Sequence, residues 1–297
     1  MQPVTSASNE AVILQLQKEY PLLRAGIFGT STLGSPLWRM TLGKGSRKVL
    51  FTAAHHANEW LTAVVLQQFA RDLARAMLEE GTIGGADARQ LAETVTIDMV
   101  PLVNPDGVDL VNSALSGEQV EQAQKLAANY PDIPFPEGWK ADIRGVDLNL
   151  QYPAGWLQAR QIKFAQGYTR PGPRDFVGRA PLSQPEARAL ADYTEETDPA
   201  LVLALHSQGQ VIYWQFEDIQ IPGARELGEQ MAAVSGYALE DTPYDSSFAG
   251  YKDWFIRYFR RPGYTVEVGI GENPLPVEQF PEIYAACLPL LVTAAKG

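Results

Sequence analysis

The sequence is poor in cysteine, in positive charge and in long apolar runs, and each shortage excludes a class of protein. The single cysteine, Cys287, rules out an internal disulfide and predicts a thiol packed within an apolar C-terminal run. The 24 basic residues are outnumbered by 35 acidic ones, and the net charge of −11 makes nucleic acid and anionic membranes unfavourable partners. No apolar run approaches the ~20 residues that cross a bilayer, so we expect a soluble chain.

The N-terminal residues also lack the basic segment, the apolar segment and the cleavage site of a secretory signal. Together with the single cysteine, this absence predicts a cytoplasmic protein. The 297 residues are 45% apolar and 20% charged, which is typical of a globular protein. No internal repeat divides the chain, so we predict one domain over residues 1–297. Nothing in the sequence indicates the oligomeric state.

Apolar runs alternate with segments of helical periodicity along the chain. Four short apolar runs predict buried strands, at residues 47–54, 94–103, 200–205 and 263–268. Four segments predict helices, at residues 58–80, 183–193, 223–235 and 277–295. This alternation predicts an α/β fold with a sheet that is parallel at least in part and has helices on both faces. Residues 132–180, rich in Pro, Gly and Trp, are too irregular for core elements and predict a functional loop.

The chain has three histidines, and each follows a predicted strand. His55 and His56 come after the first strand, and His206 follows the apolar run that ends at residue 205. Ligands of open α/β sheets bind beyond the carboxyl ends of the strands, where these imidazoles are expected. Glu59 follows His56 by three positions across a strand-to-helix turn, so both side chains can point at one spot. Two His and one Glu are the ligands of a catalytic zinc site, which we predict to hold one Zn²⁺ per chain, and His55 is interpreted as structural.

Glu267 is the one carboxylate in the last predicted strand, which is otherwise apolar. A lone carboxylate there is costly unless it is paired, neutral or facing a cleft. In a zinc peptidase such a residue would be the general base that activates water and then protonates the leaving amine. We therefore predict a catalytic role for Glu267.

Five short motifs occur in an order that resembles the zinc carboxypeptidase family, typified by pancreatic carboxypeptidase A. They are His-Ala-Asn-Glu-Trp at 56–60, Asn-Pro-Asp-Gly at 104–107, Gly-Val-Asp-Leu-Asn at 145–149, His-Ser at 206–207 and Glu267. The resemblance spans roughly residues 29–276. It implies a single α/β domain with a mixed eight-stranded sheet, with His56, Glu59 and His206 as zinc ligands. It also implies that Asp147 orients the first zinc histidine.

Two positions depart from the family pattern. Many members have an arginine that clamps the terminal carboxylate of the substrate, but here Leu150 follows Asn149. Where the family has an arginine that polarises the scissile carbonyl, this chain has Lys140, with Arg144 as a second candidate. The resemblance leaves Lys140 as the predicted catalytic cation, with Arg144 and Asn149 as predicted substrate-binding residues.

Other residues near these motifs are assigned by position or by turn chemistry. Family members have a mobile tyrosine that closes on substrate, and within the loop of residues 242–254 we favour Tyr244 over Tyr251 for this role. Trp139 and Trp156 flank the third motif and are candidates for the cleft wall. The Asn-Pro-Asp-Gly motif is interpreted as a structural turn.

Three segments resemble one branch of the family, the γ-D-glutamyl-meso-diaminopimelate peptidases that cut bacterial wall peptides. They lie at residues 139–156, 206–214 and 263–276. The resemblance implies hydrolysis of the γ-D-glutamyl–diaminopimelate amide of small murein peptides, whose carboxylates Lys140, Arg144 or Arg174 could pair with. One alternative is a carboxypeptidase that trims ordinary peptides. Another is a non-catalytic peptide-binding module, which would have no reason to keep Glu267.

Overall fold

A computed structural model describes residues 2–297 and contains one large sheet and a short hairpin. The strands are β1 (Arg24–Thr30), β2 (Pro36–Leu42), β3 (Arg47–Ala53), β4 (Thr82–Ile83), β5 (Ala86–Asp87), β6 (Val95–Val100), β7 (Leu201–Ser207), β8 (Val211–Tyr213), β9 (Ala238–Glu240) and β10 (Gly263–Val268). The helices are α1 (Ser6–Glu19), α2 (Leu61–Leu78), α3 (Ala88–Thr94), α4 (Pro105–Val111), α5 (Glu118–Ala127), α6 (Trp156–Ala165), α7 (Pro185–Thr197), α8 (Ala224–Ser235), α9 (Tyr251–Phe259) and α10 (Phe280–Lys296). Each of the eight segments predicted from periodicity contains a matching element.

The large sheet has eight strands in the order β1-β2-β6-β3-β7-β10-β8-β9. Its centre is parallel, because β3 pairs in parallel with β6 and β7, and β7 pairs in parallel with β10. Antiparallel pairs join β1 to β2, β2 to β6 and β8 to β10. The predicted mixed, largely parallel, eight-stranded sheet is therefore confirmed.

Helices cover both faces of the sheet, and the central strand β7 shows why its residues before His206 are all apolar. Leu201, Leu203 and Leu205 pack into the core that contains α1, α2, α8 and α10. Val202 and Ala204 point the other way, into the core that contains α7 and α9. Successive side chains of a strand face opposite sides, so a strand between two helical layers has no polar face.

The segment of residues 132–180 was predicted to hold no core elements, and this prediction is wrong in part. The helix α6 lies within it, and Trp139 and Tyr152 are fully buried. The polar atom of Trp139 is satisfied internally, since Nε1 donates hydrogen bonds to the carbonyl oxygens of Ala141 at 3.0 Å and Asp142 at 3.1 Å. An aromatic side chain with its polar group paired can be buried from an irregular backbone.

The remaining structural expectations concern Cys287 and membrane-spanning segments. Cys287 is fully buried in α10, as predicted, and burial raises the pKa of its thiol to about 12. Within residues 2–297, no helix combines the length and the apolar character that crossing a membrane requires.

Candidate active site

The turn after β3 brings His56 and Glu59 to the same side of the sheet. A 3-10 turn, Ala57–Glu59, reverses the chain into α2. Thr62 holds this turn: its hydroxyl accepts a hydrogen bond from the Ala54 N–H at 3.0 Å and donates one to the carbonyl oxygen of Glu59 at 2.7 Å. The Ala57 N–H donates to the carbonyl oxygen of Lys140 at 2.9 Å. His56 and Glu59, which are three positions apart, therefore direct their side chains at one point.

The structure brings His56, Glu59 and His206 together, although His206 is 150 residues from His56 in the sequence. His56 Nδ1 lies 2.9 Å from Glu59 Oε1, and His206 Nδ1 lies 3.0 Å from Glu59 Oε2. The two Nδ1 atoms are 3.3 Å apart, and all three residues are buried. One potential ligand atom from each residue lies within 4.8 Å of the others.

These residues fit a divalent metal ion, and the hydrogen bonds around His56 show how. Its Nε2 lies 3.1 Å from Asp147 Oδ1, and a carboxylate can only accept, so Nε2 carries a proton. Its Nδ1 faces Glu59 and carries a proton as well while no metal is bound; a metal ion would take the place of that second proton, and the Asp147 hydrogen bond would keep the first on Nε2. Two imidazole nitrogens and one carboxylate are the donor set of a catalytic zinc site.

Electrostatics within the cluster keep Glu59 ionised. Burial opposes its charge, but His56 and Lys140 outweigh burial and hold the pKa of Glu59 well below its usual range. Burial likewise lowers the pKa of His56, but the carboxylates of Glu59 and Asp147 raise it to about 9 overall. Burial lowers the pKa of His206, which favours the neutral imidazole that binds metals. The cluster thus offers a metal ion one ionised carboxylate and one neutral imidazole, and the proton on His56 is the one that a metal ion would displace.

Glu267 lies beside this cluster because of strand register. It pairs with His206 across the parallel strands β7 and β10, and neighbours in register point to the same face. Burial, reinforced by the nearby charge of Glu59, raises the pKa of Glu267 to about 8. A raised pKa in a cleft is the property of a residue that both accepts and donates protons near neutral pH.

A cleft opens beside the cluster of His56, Glu59 and His206. The structure places Lys140 in this cleft and Arg144 outside it. Lys140 Nζ lies 3.0 Å from Glu59 Oε1, and the side chain lines the cleft together with Glu267. Arg144 is exposed and does not line the cleft, and its backbone N–H donates to Asp142 Oδ1 at 3.0 Å. Of the two predicted cations, Lys140 is therefore the one that can reach an oxygen beside the metal ligands, and the structure does not support the substrate-binding role predicted for Arg144.

Asn149 and Leu150 both line the cleft, as the third motif predicted for Asn149. Asn149 Oδ1 accepts a hydrogen bond from the Tyr251 N–H at 3.1 Å, which fixes the orientation of its amide. Leu150, the next residue, presents an apolar side chain to the same cleft. That it replaces a carboxylate clamp stays a prediction.

Tyr244, the tyrosine predicted to close on the substrate, lies at the surface and away from the cleft. Tyr244 is 64% exposed, and its hydroxyl accepts a hydrogen bond from Gln158 Nε2 at 3.0 Å, outside the cleft. The alternative, Tyr251, is fully buried and its hydroxyl pairs with Thr194 at 2.7 Å. Closure of Tyr244 on a substrate stays a prediction.

Neither Trp139 nor Trp156 lines the cleft, since Trp139 is in the core and Trp156 Nε1 donates to the Val177 carbonyl at 3.1 Å.

Two residues predicted to be structural support the site from behind. The His55 ring stacks on the His206 ring at a centroid distance of 5.3 Å and packs 5.5 Å from the Tyr251 ring. Asn104 caps α4 through the Gly107 N–H at 3.1 Å, and its Nδ2 donates to the carbonyl oxygen of His55 at 3.2 Å. The Asn-Pro-Asp-Gly motif is thus a structural turn that also holds the histidine loop.

Sequence reasoning missed two buried ion pairs that line the cleft. Lys252 Nζ lies 2.6 Å from Asp253 Oδ1 and donates to the Gln215 carbonyl oxygen at 2.7 Å. Lys163 Nζ lies 2.7 Å from Asp175 Oδ1. Adjacent charges within the apolar start of α9 were the available signal for the first pair, because charges are rarely buried without a partner. The second pair had no such signal.

The cleft consists of two adjoining cavities that share part of their lining. The smaller cavity, of about 230 Å³, is also lined by Leu150 and Lys252. The larger cavity, of about 640 Å³, is also lined by Glu137 and Asn273. Four residues line both: Lys140, Arg174, Tyr213 and Glu267. A peptide can therefore extend to both sides of the candidate catalytic residues.

This fold and this site define a metallopeptidase of the carboxypeptidase type, and the sequence comparison agrees. The profile of the zinc carboxypeptidase family matches residues 9–286, which is nearly the whole chain. The protein belongs to the zinc carboxypeptidase family.

Individual relatives show which members of the family this chain is similar to. The chain is 43% identical over 276 residues to a γ-D-glutamyl-L-diamino acid endopeptidase of Lysinibacillus sphaericus, covering 93% of this chain and 68% of that one. The fold is similar to carboxypeptidase A from Helicoverpa armigera, with a TM-score of 0.70 and 19% identity over 99% of this chain and 74% of that one. It is also similar to the murein-tripeptide amidase from Escherichia coli O157, with a TM-score of 0.58 and 22% identity over 91% of each chain.

Proposed function

We propose that this protein is a zinc-dependent peptidase that hydrolyses the γ-D-glutamyl–diaminopimelate amide of bacterial murein peptides. The observation that carries this proposal is Leu150, an apolar residue in the cleft where a carboxypeptidase needs a carboxylate clamp. The L. sphaericus relative, named for cleavage after γ-D-glutamyl residues, supports the same substrate class. One Zn²⁺ per chain would be held by His56, Glu59 and His206. The predicted cytoplasmic location stays a prediction.

Zinc in this site would supply Lewis acidity, which lowers the pKa of water and polarises a carbonyl group. Glu267 accepts a proton from the attacking water and later delivers it to the leaving amine of the diamino acid. Lys140 stabilises the negative charge that develops on the carbonyl oxygen. Asp147 holds His56 in the metal-binding tautomer. The products are a peptide with a free γ-carboxylate and a diamino acid with a free amine.

The two-sided cleft favours cleavage inside a peptide. Glu267 borders both cavities, so residues before and after the scissile amide have space. A carboxypeptidase instead binds the terminal carboxylate with a fixed positive group. Of the cations that line the smaller cavity, Lys163 and Lys252 are already paired with Asp175 and Asp253. Removal of C-terminal residues from ordinary peptides is therefore the second candidate, and it fits Leu150 less well.

The test uses the zinc-loaded protein and the tetrapeptide L-Ala-γ-D-Glu-meso-diaminopimelate-D-Ala. Release of the dipeptide diaminopimelate-D-Ala, abolished by a chelator and restored by zinc, is the expected result. Release of D-Ala alone would identify a carboxypeptidase and overturn the proposal. An isomer with an α-linked D-Glu is the matched control, and it should not be cleaved.

A further inference from the structure

Arg174 lies at the centre of the cleft, yet none of the reaction steps above uses it. It lines both cavities together with Glu267 and Lys140, and its side chain is 38% exposed. Its one side-chain hydrogen bond runs from Nε to Asp175 Oδ2 at 2.9 Å. The end of the guanidinium that carries its two Nη groups therefore remains available for a ligand.

The charges around Arg174 do not balance. Asp175 contacts two cations at once, since Lys163 Nζ lies 2.7 Å from Oδ1 and Arg174 Nε lies 2.9 Å from Oδ2. Lys140 is close enough to Arg174 to feel its charge, and Lys140 is already paired with Glu59. Asp147 also acts on Arg174, but it is already paired with His56. The Arg174 side of the cleft thus has one positive charge more than its paired carboxylates neutralise. A half-buried cation of this kind is suited to an anionic group of a ligand.

The backbone holds Arg174 in place. The N–H groups of Lys140 and Ala141 both donate to the Pro173 carbonyl oxygen, at 2.7 and 2.9 Å. The Asp147 N–H donates to the Phe176 carbonyl oxygen at 2.9 Å. The arginine is therefore tied on one side to the segment with the oxyanion cation and on the other to the residue that orients His56. A group positioned in this way contributes to specificity without a large ordering cost.

A γ-linked glutamyl residue has an anionic group that an ordinary peptide lacks at this place. Its side-chain carboxyl forms the scissile amide, so its α-carboxylate stays free at the end of a short carbon stem. We propose that Arg174 binds this α-carboxylate and thereby selects γ-D-glutamyl amides over α-linked peptides. This inference rests on the proposed function and identifies the residue that recognises the acyl side of the scissile amide.

The experiment compares three substrates and three proteins, with Arg174→Lys as an added variant. The substrates are L-Ala-γ-D-Glu-meso-diaminopimelate, its glutamyl α-carboxamide and its diaminopimelate side-chain carboxamide. The proteins are the wild type, Arg174→Gln and Arg170→Gln, an exposed arginine of the same segment that serves as the matched control. For the wild type and Arg170→Gln, we expect the glutamyl α-carboxamide to lower kcat/KM by about 30-fold, which is typical for loss of one charge-assisted hydrogen-bonded pair.

In Arg174→Gln, the α-carboxylate and the α-carboxamide should be cleaved at similar rates. The substitution should not change the factor by which the diaminopimelate side-chain carboxamide lowers kcat/KM. Arg174→Lys, which keeps the charge but loses the planar fork, should restore part of the preference for the carboxylate. Equal loss on all three substrates would show that Arg174 only shapes the site. Loss of the diaminopimelate preference instead would show that it reads the other side of the bond, and either result would overturn the proposal.

Binding gives a second readout that does not depend on turnover. In the Glu267→Gln background, titration calorimetry should show that Arg174→Gln raises the Kd of the parent peptide by about 30-fold and leaves the Kd of the α-carboxamide unchanged. If the wild type cleaves none of the substrates, the proposed function fails. The Kd comparison then still decides whether Arg174 binds the glutamyl carboxylate.

Discussion

His206 and Glu267 lie on neighbouring strands in direct register, whereas Lys140 and Arg174 lie on the long connection between β6 and β7. Backbone ladders set the positions of the first two. The other two depend on loop contacts such as the hydrogen bonds of Pro173 with the Lys140 segment. A parallel sheet allows little change at its strand ends, while a loop can change its side chains without disturbing the ladder. The sheet therefore sets the positions of His206 and Glu267, while the loop adds Lys140 to the chemistry and is free to vary with the substrate.

The largest effect should follow from a change at the sheet. Glu267→Gln should lower kcat by about 10³- to 10⁴-fold on every substrate, because the amide cannot accept the proton of water. Zinc content, measured by atomic absorption, should equal that of the wild type, since Glu267 is not among the predicted ligands. A variant that keeps more than a tenth of the wild-type rate would remove Glu267 as the general base.

Lys140 tests whether a loop residue also takes part in the chemistry. Lys140→Met should lower kcat/KM by about 10²- to 10³-fold, as removal of an oxyanion donor does in other hydrolases, and Lys140→Arg should lose less. Arg144→Gln is the matched control and should behave like the wild type, because Arg144 is exposed and outside the cleft. The reverse ranking of the two positions would assign the oxyanion role to Arg144.

Asp147 connects the two regions, since it lies on the connection and orients a sheet-end histidine. Asp147→Asn should weaken zinc binding by about 10- to 100-fold, because the amide has no charge to hold the proton on His56 Nε2. Competition with a chromogenic chelator measures this. Asp198→Asn, an exposed carboxylate paired with Arg261, should leave zinc affinity unchanged. An unchanged affinity in Asp147→Asn would contradict the orienting role.

The pH profile reports the ionisation of Glu267 itself. Burial and Glu59 raise its pKa to about 8 within the protein, and a divalent cation nearby lowers it. Since the base must be deprotonated, kcat/KM should rise with pH by about tenfold per unit on a limb with its midpoint below 8. Rates on the tripeptide between pH 4 and 9 measure it. A rate that falls as pH increases from 5 to 8 would show that a protonated form is active.

The smallest effect is expected at the exposed loop. Tyr244→Phe should lower kcat/KM by at most about threefold, the lower end of what one neutral hydrogen bond contributes. Its hydroxyl pairs with Gln158 outside the cleft, so most of its environment is independent of the substrate. Steady-state rates on the parent tripeptide measure this. A loss of 100-fold would mean that Tyr244 closes over the site during the reaction.

The sequence predicted the sheet-end residues well and the loops poorly. His56 and Glu59 are three positions apart, and His206 ends an apolar strand, so local patterns and the resemblance identified all three. The position of Arg144 could not be predicted, because whether a loop side chain faces the cleft depends on the path of the whole connection. The helix α6 was missed because its apolar residues face the small core around Val177 and form only a weak periodic pattern.

What the sequence by itself determined is the alternation of the central strands with their helices and the placement of His56, Glu59 and His206 at strand ends, since both follow from local physics. Only the tertiary structure decided that Lys140 and not Arg144 enters the cleft. It also decided that Asp175 is shared between Lys163 and Arg174. Charge balance depends on distances of a few ångströms between separate elements, and such distances are properties of the packed chain.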